Sequence, residues 1–199
     1  SGTGSDANGD AITYCWEEID TGPNGVWNMP SGNAPAFRSF LPTADSVRIF
    51  PKIEALVRDT TYIGEILPSY ARILNFRLTV RDNRAGGSGV TYNDAPKLVS
   101  LVTGGPFHVM VPNVSMNWKA ESIDTVKWNP GISIVAPVSC ALVDIYLSVD
   151  SGYTYPYLLK SHTPNDGIEA VLVPDTLTDK ARIKVQSVGN IFFDISNKN

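Results

Sequence analysis

Histidine and cysteine are almost missing from this 199-residue chain, which has two of each and three methionines. His108 and His162 have no H-x-x-x-H partner, and Cys15 and Cys140 fit no clustered metal spacing, so a zinc centre of the usual kinds is excluded. Charge is sparse too. Asp, Glu, Lys and Arg make up 18% of residues, and the net charge is -4 with no Lys/Arg cluster. Nucleic-acid binding and charge-driven membrane binding both need a basic surface that this composition does not supply. No apolar run approaches the ~20 residues needed to span a bilayer, so membrane insertion is not expected. No signal peptide is read at the N-terminus.

Catalytic signatures are equally scarce. No G-x-S-x-G elbow supports a Ser-His-Asp triad. Glu17 and Glu18 are adjacent on a candidate strand, so they point to opposite faces and cannot flank one glycosidic bond. They read as solvated side chains.

What the chain does have is 16 glycines, 14 prolines and many short alternating runs, a composition suited to strands joined by turns. Leu74, Phe76, Leu78 and Val80 alternate with polar residues and end at Asp82-Asn83 and a glycine-rich loop. Ile12 to Trp16 reads as a partner strand. Later candidates are Phe107 to Val111, Thr125 to Trp128, Val143 to Ser148, Ile168 to Val173, Ala181 to Val185 and Ile191 to Ile195. One short helix is expected over 51–58, where Pro51 opens a helical spacing of apolar residues. The long connection from Thr21 to Pro51 is expected to pack over the body of its domain. Thr103-Gly104-Gly105-Pro106 marks a boundary, so the expectation is two all-β modules, 1–103 and 104–199.

Two motifs carry specific chemistry. Asp6-Ala7-Asn8-Gly9-Asp10 spaces three oxygen-bearing side chains around a glycine. That pattern makes a good turn, the reading ranked first, and it can also wrap calcium, which wants six or more oxygens. An antiparallel pairing of the strand after this turn with the strand ending at Val80 brings Asp82 and Asn83 to the same end. Asp6, Asn8, Asp10, Asp82 and Asn83 are then candidate calcium ligands. Ser148-Val149-Asp150-Ser151-Gly152-Tyr153-Thr154-Tyr155 fits the Asp-box pattern S-x-D-x-G-x-T-W with Tyr155 in the final aromatic place. Ser148, Asp150, Gly152, Thr154 and Tyr155 should therefore lock a hairpin, a structural role. Trp16 and Trp128 are expected core anchors, Trp27 and Trp118 are less placed, and packing is the first reading for all four. Cys15 and Cys140 are either bonded or free, and spacing does not decide which.

The stretch from Asp6 to Glu18, with Gly22-Pro23 after it, resembles the D-x-D-G-D-x-L-x-Y-x-W-x-Q…G-P start of PKD-like domains, and Phe76 to Asn83 resembles their F-x-L-x-V-x-D-N close. The whole chain is similar to the region following the catalytic domain in secreted bacterial zinc metalloproteases of the reprolysin-like metzincin type. The blocks carrying that likeness are Trp16-Glu17-Glu18, Phe37-Arg38-Ser39, Phe50-Pro51-Lys52-Ile53, Glu65 to Asn83, Thr163 to Gly167 and Asn190 to Ser196. The resemblance implies two immunoglobulin-like sandwiches (PKD-like, then fibronectin-III-like), the first lacking its opening strands, with its exposed edge covered by the 21–51 connection or paired with another chain. It implies a bacterial secreted or cell-surface setting, no cofactor in this chain beyond the calcium candidate, and zinc only in a catalytic domain elsewhere. The metzincin H-E-x-x-H-x-x-G-x-x-H motif is absent, so no catalytic residue carries over. The expected function is a non-catalytic accessory region whose partners are its own catalytic domain and an extracellular protein or glycan. The alternative is an adhesion module unrelated to proteolysis.

Overall fold

A computed structural model describes every residue of the chain except Asp94. It is almost entirely β, with eleven strands in antiparallel sheets and one six-residue helix, α1 (Ile53–Arg58), among the described residues. The chain divides into two compact units, Ser1–Ala55 with Thr60–Thr103, and Leu56–Asp59 with Gly104–Asn199.

The first unit is organised by β2 (Arg72–Arg81). One edge pairs with β1 (Thr13–Glu18) from Thr13↔Arg81 to Glu18↔Phe76. The other edge is shared by β3 (Val90–Tyr92) and β4 (Lys97–Leu101). Between those two strands the Leu78 amide donates to the Asn93 side chain at 2.6 Å, so an amide side chain fills the gap in the ladder. Leu74, Phe76, Leu78 and Val80 are buried, as their alternation demands. β3 is wholly exposed and shows no apolar alternation, while in β4 the half-buried Val99 and Leu101 pack on the first core and the exposed apolar Leu98 hides their period in the sequence.

The 21–51 connection is packed down only from Ala34 onward, and residues 21–33, which were expected to pack too, are exposed apart from half-buried Pro30. Phe37 and Phe50 meet Phe76, with ring centroids 6.2 and 4.5 Å away, and each other at 5.0 Å. Thr43 exchanges two backbone hydrogen bonds with Tyr14, which closes part of the free edge of β1. Buried charge holds the rest in place. Glu18 is not solvated, contrary to expectation: one carboxylate oxygen accepts from the amides of Ala36 and Phe37 at 2.8 and 2.6 Å. Its other oxygen lies 3.5 Å from the Arg72 guanidinium. Arg72 also reaches Asp20 at 3.0 Å and donates to the Ala34 carbonyl at 2.7 Å, and Asp20 accepts from the Asn75 side chain. Burial, and the Asp20 carboxyl nearby, push the Glu18 carboxyl above its ordinary range. A second buried pair joins Glu65, 2% exposed, to Arg48 at 2.7 Å, and the Lys52 amide donates to the same carboxylate at 2.7 Å.

The second unit has two sheets. One runs β11-β10-β7-β8 and the other β5-β6-β9. The members are β5 (His108–Val111), β6 (Ile123–Asn129), β7 (Leu142–Ser148), β8 (Tyr157–Pro164), β9 (Ile168–Leu172), β10 (Arg182–Ser187) and β11 (Phe193–Ile195). Both sheets contribute to one core: Val109, Val126, Trp128 and Val171 from the three-stranded sheet, and Val143, Ile145, Leu147, Ile183 and Val185 from the other. Trp128 is 2% exposed, and its indole N–H donates to Asn165, whose own amide donates to Ser133 and the Cys140 carbonyl. Asp194 accepts from the Val109 amide at 2.7 Å and so ties β11 to β5. β8 also escaped the sequence reading, since most of its residues are exposed and its pairing with β7 shifts register twice.

Replacing Arg72 with Met should leave two buried carboxylates without their cation. The expected loss is about 3–5 kcal/mol from the first unit, read as an earlier urea transition for probes in residues 1–103, with Trp128 fluorescence unchanged.

Candidate metal centre

The first unit brings three of the five candidate calcium ligands together. The Thr13↔Arg81 register places the Asp6–Asp10 turn beside Asp82, and one oxygen from each of Asp6, Asp10 and Asp82 falls within 4.8 Å of the others. Two oxygens on opposite sides of a calcium ion, each about 2.4 Å from it, would stand about 4.8 Å apart, so the spacing suits that ion. The turn itself is built by the carboxylates. Asp6 Oδ1 accepts from the amides of Asn8 and Asp10, each at 2.9 Å, and those bonds hold the Asp6 carboxyl below its ordinary range. Asp82 Oδ1 accepts from Arg84 at 3.2 Å and Gly89 at 2.8 Å, folding the glycine-rich loop over itself. The second oxygens of Asp6 and Asp82 remain for another partner. Asp10 Oδ2 is buried and accepts no hydrogen bond, and the Arg84 guanidinium stands 4.0 Å from it.

The two asparagines make hydrogen bonds in the same region. Asn8 gives its backbone N–H to Asp6. Asn83, at φ +54°, donates its side-chain amide to Thr13 Oγ1 at 3.0 Å and to the Ala11 carbonyl at 3.3 Å, which laces β1 to the end of β2. Among the described residues, this carboxylate trio is the one group of three or more His, Cys, Asp or Glu side chains placed to hold a metal ion.

The Asp-box residues form a closed polar knot between β7 and β8. Ser148, fully buried, donates to Asp150 at 2.7 Å and accepts from the Gly152 amide at 2.8 Å. Asp150 accepts from the amides of Thr154 and Tyr153 at 2.9 and 3.0 Å and from the Thr154 hydroxyl at 2.7 Å. The Thr154 amide bond leads among the hydrogen bonds that depress the Asp150 carboxyl to about 2. Gly152 sits at φ +97°, where a Cβ would approach the Tyr155 hydroxyl at 3.1 Å. Tyr155 lies under the Lys184 ammonium, 4.5 Å from its ring centroid, and burial raises its hydroxyl above the ordinary range.

Of the tryptophans, Trp128 is a core anchor, while Trp16 is half-buried and donates to the Ser46 carbonyl at 3.0 Å. Trp118 packs against the second core. Trp27 is 48% exposed and does not pack as expected. Cys15 and Cys140 are both free and buried, each with its thiol directed at backbone carbonyls. Ser161 and Asp144 do meet a histidine, but both approach Nδ1 of His162, at 3.1 and 3.5 Å. A triad needs them on opposite ring nitrogens. The buried pair of Glu65 and Arg48 escaped sequence reading, because the two lie 17 residues apart and Arg48 stands in no recognisable motif.

No family model, curated protein or solved structure matches the chain.

Substituting Asp150 with Ala removes the acceptor of four hydrogen bonds, and about 1–3 kcal/mol should be lost at neutral pH. The folded-state pKa is depressed, so the stabilisation is complete above the ordinary value of 3.8 and disappears as pH falls through about 2. The difference in unfolding free energy between the parent chain and the variant should therefore shrink between pH 5 and pH 2 in urea titrations.

Proposed function

We propose that this chain is a non-catalytic scaffold region of a secreted bacterial zinc metalloprotease, built from two immunoglobulin-like modules, the first PKD-like. What supports the reading is where the blocks of the resemblance lie. Glu65, Arg72 and Asn75 in one block, Asn165 in the next and Asp194 and Ser196 in the last supply polar groups that fix strands and the long connection. Residues shared for such reasons belong to a framework, not to a reaction centre. The role is positional: it holds or spaces the catalytic domain, or presents it to substrate. The coding sequence upstream of Ser1 should encode an H-E-x-x-H domain, and the purified chain should turn over nothing on peptide and glycan panels. An open reading frame without that domain, or turnover by the chain alone, overturns the proposal. The exposed Val26, Trp27 and Met29 loop favours one alternative, an adhesion module that contacts protein, and a gene lacking the protease domain would select it.

Within this role Asp6, Asp10 and Asp82 act as a calcium staple between the first turn and the end of β2. The Asp10 oxygen supports it: it is buried, accepts no hydrogen bond and has the Arg84 guanidinium no nearer than 4.0 Å, and such an atom is costly unless something satisfies it. Millimolar calcium should raise the melting temperature of the first unit over that in chelator by about 4 °C, and Asp10→Asn should abolish the difference. Equal melting temperatures in calcium and chelator would dismiss the staple.

A further inference from the structure

The first unit also carries a small cationic pocket that the scaffold reading does not use. It measures about 220 Å³ and is lined by Arg38, Phe40, Lys52, Tyr62, Ile63 and Glu65. Two backbone segments form its walls: Arg38 donates its amide to the Gly64 carbonyl at 2.9 Å, and Phe37 and Glu65 form an isolated bridge. Gly64 sits at φ +70°, and a Cβ there would lie 3.0 Å from the Arg38 side chain, so only glycine lets the arginine stem lie along the turn.

The charges do not balance. Glu65 is spent on Arg48 and on the Lys52 amide. Arg38 and Lys52 make no ion pair among the described residues. Their heads are held over aromatic faces instead, Arg38 at 5.2 Å from the Phe40 centroid and Lys52 at 3.9 Å from that of Tyr62. Arg48 covers Phe40 as well, at 4.7 Å. Two ring-held cations with no counter-charge, in a chain of net charge -4, form a receptor for an anion.

The surroundings narrow the class. The rings that would stack on a sugar already carry cations. What remains open is a guanidinium fork suited to a carboxylate, an ammonium beside it, and the apolar Ile63, 62% exposed, at the rim. We infer that this pocket binds an acidic peptide, taking an Asp or Glu carboxylate between Arg38 and Lys52 with a neighbouring apolar side chain against Ile63. The inference goes beyond the accessory-region reading and does not rest on it, since the purified chain alone can be tested whatever the upstream gene encodes.

The test titrates the labelled chain with the blocked dipeptides Ac-Asp-Leu-NH2 and Ac-Asn-Leu-NH2 and with glucuronate, following amide resonances by NMR. The Asp peptide should move the Gly64 and Arg38 amides and bind at roughly millimolar strength, weakening several-fold between ~20 and ~200 mM salt. The Asn peptide should leave those amides unmoved, and glucuronate, which offers the carboxylate without an apolar side chain for Ile63, should move them less than the Asp peptide. Arg38→Gln with Lys52→Gln should weaken the Asp peptide roughly tenfold. Both side-chain heads lie outside the core, so an unchanged melting temperature will show that the double variant is folded. Equal binding of the Asn peptide, preference for glucuronate, or full binding by the folded double variant overturns the inference.

Discussion

Arg72 is the constraint on which the first unit depends. Its guanidinium is almost wholly buried between two carboxylates that are equally inaccessible, and it also satisfies the Ala34 carbonyl. Removing charge from water is expensive, and the cost is offset only when every charged group finds partners. Here the partners come from the end of β1, from β2 and from a connection with no strand of its own. Glu18 fixes Ala36 and Phe37 through their amides, and Phe37 then meets Phe76. A polar network thus positions the aromatic core, so apolar packing is not what first places the connection.

The second unit reaches its order by a different route. Nine buried apolar residues from two sheets make one continuous core, and the polar groups act as pins: Asn165 under Trp128, Asp194 between β11 and β5, Asp150 in its hairpin. The Asp150 pin is local to its hairpin, whereas Asn165 and Asp194 each tie residues distant in sequence, Asp194 linking a strand of one sheet to a strand of the other. Most of its stability comes from area removed from water, and the pins specify register and turn geometry.

These differences explain what was legible in the sequence. Leu74 to Val80 and Val143 to Leu147 alternate because one face is buried, so their strands could be read directly. β3 and β8 were missed because pairing places them at mostly exposed positions, where no apolar period is required, and β4 because its exposed Leu98 blurs the alternation of Val99 and Leu101. The Asp-box could be read because all its bonds lie within one loop. Asp82 could be placed beside Asp6 and Asp10 once antiparallel pairing was assumed, but the diversion of Asn83 to Thr13 depends on a side-chain direction that spacing does not encode. Glu18 was misread as solvated because its partners, Ala36, Phe37 and Arg72, are distant in sequence.

The pairing of Glu18 with Phe76 has a kinetic side. That ladder closes only after the whole intervening chain has been brought round, whereas Leu147 meets Tyr157 across a single hairpin. By loop-closure entropy the longer return costs about 1.5 kcal/mol more. Sheets dominated by such distant pairings form slowly. The 21–51 segment, with its exposed Trp27 and Met29, is the stretch that this return must carry round before β1 meets β2.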